Sequence, residues 1–217
     1  LIAFVFSRVH LLEMKHAESN DDEVKGTRIM KLFRYHPLFV FGLFALLAYE
    51  VSEISINSYF INFMTGEGYM DDNTASVVLT IALGFFMVGR FVGSWLMQYI
   101  RAEILLLICA AGSVTCMIVV LLGVGKVSMA ALISNYLFEA IMFPTIFSLA
   151  LNGLGNLKKS AASLLMMTPI GGCGFLLMGI IADASNLITP FIIPFFGYFV
   201  VLLFASELLR KFHETMS

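Results

Sequence analysis

Tyr49-Glu50-Val51-Ser52-Glu53-Ile54-Ser55-Ile56-Asn57-Ser58-Tyr59 is the stretch that decides how the chain reads. It lies inside a long apolar segment, residues 37–64, which exceeds the roughly 20 residues a helix needs to cross a bilayer. Two carboxylates, Glu50 and Glu53, fall near its middle. Each costs on the order of 2.5–3.5 kcal/mol at the centre of a membrane helix. At about 100° per residue, Tyr49, Glu53 and Asn57 form one stripe, and Ser52, Ser55 and Tyr59 form a neighbouring one. A face of that kind must look onto a wet cavity or onto other helices, never onto lipid.

The rest of the composition agrees. Of 217 residues, 59% are hydrophobic and 13% charged, with 21 Phe and 13 Met. A soluble domain has about a quarter of its residues charged, so this is an all-α, multi-span membrane chain. The basic residues are scattered along the expected membrane edges, which excludes a nucleic-acid surface. Cys109, Cys116 and Cys173 stand inside apolar segments without CxxC or Cys/His spacing, so no metal or redox site is expected. No HExxH, no GxSxG and no intramembrane aspartate pair is present. An enzyme is not expected, no catalytic group is assigned, and no cofactor is implied.

Residues 1–7 are apolar and precede Arg8 and His10, the reverse of a signal peptide's order. They read as the end of a preceding transmembrane helix, and the chain as the C-terminal part of a longer protein. Residues 8–36 mix Glu18, Asp21, Asp22 and Glu23 with Lys15, Lys25, Arg28, Lys31 and Arg34, and read as a cytoplasmic central linker. Six apolar segments follow, near 37–64, 75–99, 103–123, 129–152, 160–183 and 188–209. Residues 37–211 are thus expected to form a six-helix unit, and 212–217 a cytoplasmic tail. Loops on one side of the membrane hold Glu67, Asp71, Asp72, Lys126 and Asn186. The opposite side holds the linker, Arg101, Lys158, Lys159, Arg210 and Lys211. The positive-inside rule puts that side, and both ends, in the cytoplasm.

Six helices divide into two triplets whose first members are the unusual ones. The first carries Glu50, Glu53 and Asn57, and the fourth carries Asn135, Glu139 and Pro144. Polar or interrupted segments at matching positions of two repeats point to a transporter's substrate site. The fifth segment contains Thr168-Pro169-Ile170-Gly171-Gly172-Cys173-Gly174. Pro169 frees a backbone carbonyl, and Gly171 and Gly172 allow a bend or a close helix crossing.

Glu53 is the leading functional carboxylate. Desolvation disfavours a bare charge, so a carboxyl there suits binding a proton or hydrogen-bonding a sugar hydroxyl. Glu50 is secondary, about 60° off the Tyr49–Glu53–Asn57 stripe. Tyr49, Asn57, Asn135 and Glu139 suit a hydroxyl-rich ligand, because amides both donate and accept. Tyr59 fits a membrane-edge anchor as well as a ligand contact. Arg90 could snorkel to the inner surface, or pair with an acid across the bundle and latch an inner gate.

The stretch from Tyr49 to Tyr59 resembles the seventh helix of bacterial fucose–galactose–glucose:proton symporters in the major facilitator superfamily. Gly89-Arg90-Phe91-Val92-Gly93-Ser94-Trp95-Leu96 is similar to the end of that group's eighth helix. Phe143-Pro144-Thr145-Ile146-Phe147-Ser148-Leu149-Ala150, with Gly153-Leu154-Gly155, resembles its tenth helix and following loop. Ile170-Gly171-Gly172, Gly179 and Ala182-Asp183 match its eleventh. Four blocks in order cover nearly the whole chain. Glu139 departs from the pattern, since the tenth helix often has an amide or uncharged residue there. Arg101-Ala102-Glu103 is only a weak relic of the superfamily's acidic-glycine loop.

The resemblance implies half of a twelve-helix transporter, built as two three-helix repeats, that alternates access around a central sugar site in a bacterial inner membrane. The expected partners are a monosaccharide, a proton (with sodium as the alternative ion), an N-terminal six-helix half and the lipid bilayer. The family's best-understood proton carboxylates lie in that other half. An uncoupled facilitator for another small polar solute is the nearest rival. A truncated remnant, or an assembly or sensor subunit that keeps the fold, is the rival from another class.

Overall fold

The computed structural model describes residues 29–66 and 68–216, without the side chains of 212–216. The expected preceding helix end (1–7), residues 8–28 of the linker, Glu67 and the side chains of the tail lie outside the described residues. Helical backbone covers residues 29–35 and then α1 Pro37–Gly66, α2 Asp72–Leu96, α3 Ala102–Leu121, α4 Lys126–Ala150, α5 Lys158–Leu165, α6 Phe175–Ala184 and α7 Ile192–Met216. Six segments are long and apolar enough to cross a membrane, with Gly155–Ala184 counting as one.

Local chemistry sets the boundaries. Pro37 opens α1, where its fixed φ and missing N–H cost nothing. The α3–α4 turn needs positive φ at Gly123 (63°) and Gly125 (54°), which glycine adopts freely. Ser128 ties that turn down. Its Oγ accepts from the Val124 N–H at 2.9 Å and donates to the Val119 carbonyl at 2.8 Å.

The two prolines act differently. α4 remains one helix through Pro144, and the Thr145 hydroxyl donates to the Ile141 carbonyl at 2.6 Å. The fifth span is instead divided. A 3-10 stretch, Thr168–Gly174, separates α5 from α6. Pro169 lacks the N–H and three of the next five residues are glycine (Gly171, Gly172 and Gly174), so the tighter helix replaces the α-helix there. The same stretch lies against α1. A Cβ on Gly171 would meet Val51 and Leu47, and one on Gly172 would meet Ile54. The span therefore has both an interruption and a close crossing.

The packing has the order two repeats would give. α4, first of the second triplet, packs on α2 and α3 of the first. α1, first of the first triplet, packs on the fifth span and α7 of the second. The third members, α3 and α7, meet each other, as do α1 and α4. Small residues bring α2 to α4. α2 buries only Ala75, Ala82, Gly89 and Gly93, and a Cβ on Gly89 would fall 2.8 Å from the Ala140 Cβ. This is the small-residue contact membrane helices use. It fixes the height of Arg90 against α4.

Gly197 of α7 sets the α1–α7 distance. A Cβ there would collide with the Ser52 Oγ and come within 2.6 Å of the Ala48 carbonyl oxygen. A backbone oxygen cannot move aside by changing rotamer. Gly197→Ala is expected to lower the melting temperature of the purified full-length protein, at an overpacking cost of about 1–3 kcal/mol. Gly179→Ala, with no atom within 4 Å of its Cβ position, should leave that temperature unchanged or raise it.

Candidate functional site

The expected polar residues of α1 and α4 do meet. Tyr49 is fully buried, and its hydroxyl donates to the Glu139 backbone carbonyl at 3.1 Å. Two turns further along the same stripe, Asn57 Oδ1 accepts from the Tyr136 hydroxyl at 2.9 Å. These two bonds are spaced along the α1–α4 contact and hold the helices in register. Glu53 lies between them on α1.

Glu53 faces α2. Arg90 Nη2 stands 3.9 Å from Glu53 Oε1, at the long end of an ion pair. The guanidinium carbon also sits 4.6 Å from the Phe86 ring centroid and 5.8 Å from that of Phe143 on α4. Both lie within cation–π range. Arg90 thus joins α1, α2 and α4 at one point. The Glu53 side chain is 15% exposed and that of Arg90 44%, so the pair opens on one side of the bundle.

Behind it the site closes. Asn135 and Glu139 are fully buried. Asn135 Nδ2 donates to Glu139 Oε2 at 3.1 Å and to the Tyr198 hydroxyl of α7 at 3.2 Å. Glu139 Oε1, Asn135 Oδ1 and Ser55 Oγ are buried and have no hydrogen-bond partner among the described residues. Glu50, 8% exposed, lies within electrostatic reach of Glu53 and Arg90. Glu53 and Arg90 in turn act on Glu139. Of these carboxyls, Glu53 is the one whose contact with Arg90 is direct.

The remaining expected residues are peripheral to this cluster. Pro144 lies in α4, just past Phe143. Pro169, Gly171 and Gly172 lie in the 3-10 stretch beside Leu47, Val51 and Ile54 of α1. Tyr59 packs edge-on against Phe191. Two contributors, Tyr136 and Tyr198, were not singled out from the sequence. Tyr136 adjoins Asn135, which was a usable signal. Tyr198 stands alone in an apolar run, and only the fold brings it to Asn135.

A second concavity, about 340 Å³, lies between α2, α3 and α4 and is lined by Phe85, Val88, Leu105, Ile108, Leu137 and Phe138 among others. Its walls offer almost no polar atoms and nothing to recognise a hydroxyl-rich solute. Among the described residues no group of His, Cys, Asp and Glu could hold a metal ion.

No protein-family model matches the chain. A Helicobacter pylori (strain J99) protein named "Putative glucose/galactose transporter" is 32% identical over 205 residues, covering 92% of this chain and 50% of that protein. The L-fucose-proton symporter of Escherichia coli K12 is 32% identical over 169 residues, 76% of this chain and 38% of that protein. A crystal structure of the major facilitator superfamily transporter FucP, in the outward conformation, superposes with a TM-score of 0.80 at 28% identity, over 87% of this chain and 47% of that one. The chain spans about half the length of the curated relatives it matches.

The Glu53–Arg90 contact makes a measurable coupling. Arg90→Gln leaves Glu53 inside the bundle without its cation, whereas adding Glu53→Gln removes the need for one. The double variant should unfold at a higher temperature than Arg90→Gln alone. Because Arg90 is 44% exposed and screened, the coupling should be on the order of 1 kcal/mol. Strict additivity of the two single changes in the full-length protein would show that the contact carries no energy.

Proposed function

We propose that this chain, which belongs to the fucose/galactose/glucose:proton symporter family of the major facilitator superfamily, is the C-terminal half of a proton-coupled monosaccharide symporter. The observation that carries the reading is the polar cluster between two membrane helices, opening at Glu53 and backed by Asn135 and Glu139. Lipid cannot satisfy such groups, and packing alone would be better served by apolar residues. A sugar offers the chemistry they match, with many hydroxyls that each donate and accept.

In this conformation Glu53 and Asn57 are the partly exposed members of the cluster, while Tyr49, Asn135 and Glu139 are buried behind them. Glu53 and Asn57 therefore make first contact with substrate, and the buried three shape the site. A sugar hydroxyl that donates to Glu53 competes with Arg90 for the same oxygens. Ligand binding would then loosen that polar tie between α1 and α2. The interrupted fifth span, packed on α1 through Gly171 and Gly172, is the element suited to following that movement by a bend, with Pro144 a second, subtler one.

The partner is an N-terminal six-helix half. α2 leaves Phe91 72%, Trp95 57% and Val77 58% exposed, and the fifth span likewise exposes Ile170 and Ile180. Such faces need lipid or another apolar surface, and relatives about twice this length have the chain to supply one. Both ends cytoplasmic is the orientation the basic residues favour, and a bacterial inner membrane is the setting the resemblance implies. The coupling ion is a proton, with sodium the alternative.

Glu53→Gln in the full-length protein should abolish concentrative hexose uptake while leaving expression and membrane insertion intact. Labelled-sugar uptake across a range of pH measures this. Wild-type accumulation at every pH tested removes Glu53 from the mechanism. A proton ionophore should also collapse wild-type accumulation. Persistence of uptake with the gradient gone, and no accumulation beforehand, would favour an uncoupled facilitator.

A further inference from the structure

The buried pair behind the site has a proton-shaped gap in its hydrogen bonding. Asn135 Nδ2 donates to Glu139 Oε2 at 3.1 Å, which joins the amide to the carboxyl. The other polar atom of each group is also buried, and each is an acceptor without a partner: Asn135 Oδ1 and Glu139 Oε1. Two acceptors cannot bond to one another. A single proton on Oε1 makes it a donor and gives Oδ1 the partner it lacks. The two side chains then close a cyclic acid–amide pair with both edges satisfied.

Charge balance points the same way. The groups facing Glu139 are Tyr49 and Glu53 from α1, Arg90 from α2, Asn135 and Tyr136 from α4 itself, and Tyr198 from α7. α3 brings no charged side chain there, since its Glu103 sits at its first turn near Arg101. Arg90 is the one cation, and it stands beside Glu53. An ionised Glu139 would be a fully buried charge whose hydrogen-bonding neighbours, Asn135 and Tyr198, are neutral. Buried charges persist only when paired and fully hydrogen-bonded.

We propose that Glu139 and Asn135 form a proton-binding site in this half of the transporter, distinct from the Glu53–Arg90 pair, in which Glu139 holds the proton on Oε1 and donates it to Asn135 Oδ1. The coupling role of that proton rests on the transport reading above; its presence does not.

Infrared spectroscopy of the full-length protein in lipid at neutral pH tests the site directly. Wild type minus Glu139→Gln should show one carboxylic-acid C=O band. Gln is chosen because its amide can close the same ring, so the fold is kept. Asn135→Ala should keep the band and shift it to higher wavenumber, and Glu53→Gln should leave it in place. Absence of an acid band in the difference, with a carboxylate band in its stead, overturns the proposal. So does loss of the acid band when sodium chloride replaces an organic-cation salt at fixed pH, which would make the pair a sodium site. If Glu139→Gln does not fold, the Asn135→Ala shift decides alone, and an unshifted acid region counts against the site. Failure of sugar uptake in wild type would sink the transport reading without touching these bands.

Discussion

Acidic groups inside a lipid-spanning bundle must be balanced by the bundle itself, because neither lipid nor bulk water is there to do it. That constraint organises this chain. α1 carries two carboxyls and α4 one, against a single arginine on α2. The effective penalty for burying an ion is several kcal/mol, so the helices are arranged to meet it. Arg90 reaches Glu53 on α1 and lies over Phe143 of α4. Tyr49 and Asn57 carry hydrogen bonds between α1 and α4. Asn135 links Glu139 to Tyr198 of α7. All of these ties but the Asn135–Glu139 bond, which lies within α4, cross between helices, so the cluster is also what sets their relative positions.

The apolar packing around the cluster obeys the same geometry. Without a strong hydrophobic drive between helices in lipid, close approach depends on small side chains. Gly42 lies on Ala150, Gly89 on Ala140, and Gly197 on Ala48 and Ser52. Ser52 in turn spends its hydroxyl on the Ala48 carbonyl at 2.8 Å, which leaves α1 a smooth surface for α7 there. These contacts are tightest around the first helix of each triplet. α2 and the fifth span are held by narrow strips of small residues and leave broad apolar faces outward.

Much of this was legible in the sequence, for physical reasons. The cost of a charge in oil makes Glu53 and Glu139 conspicuous, and helical periodicity puts Tyr49, Glu53 and Asn57 on one line. The six spans follow from length and hydropathy, and each lies within a few residues of its expected place. The similarity to known sugar symporters was readable from four ordered blocks. Periodicity failed at Glu50, which is off the stripe and yet buried. It treats a helix as having one inward face, whereas α1 is packed on four sides, by α2, α4, the fifth span and α7. Tyr198 was missed because one hydroxyl in an apolar run has no period to betray it. The 3-10 geometry at Thr168–Gly174 was missed because Pro and Gly announce a departure from the α-helix without specifying which one.

The two acids on the cavity side and the one behind it differ in a way composition cannot reveal. Glu53 has a cation and an opening to the surface. Glu139 has an amide, a phenol and no opening. A carboxyl with a cation beside it can exchange partners as a ligand arrives, because the competing charge–dipole and charge–charge contacts are of similar strength at a wet surface. A fully buried carboxyl whose hydrogen-bond donors are neutral cannot exchange anything until the helices around it part. Its neighbours sit on α1, α4 and α7, so only a movement between those helices could expose it. The outer acid is thus reachable from the surface and the inner one only through a movement between helices, with Tyr49 joining them: its hydroxyl is bonded to the backbone of Glu139 and its side chain lies one helical turn from Glu53.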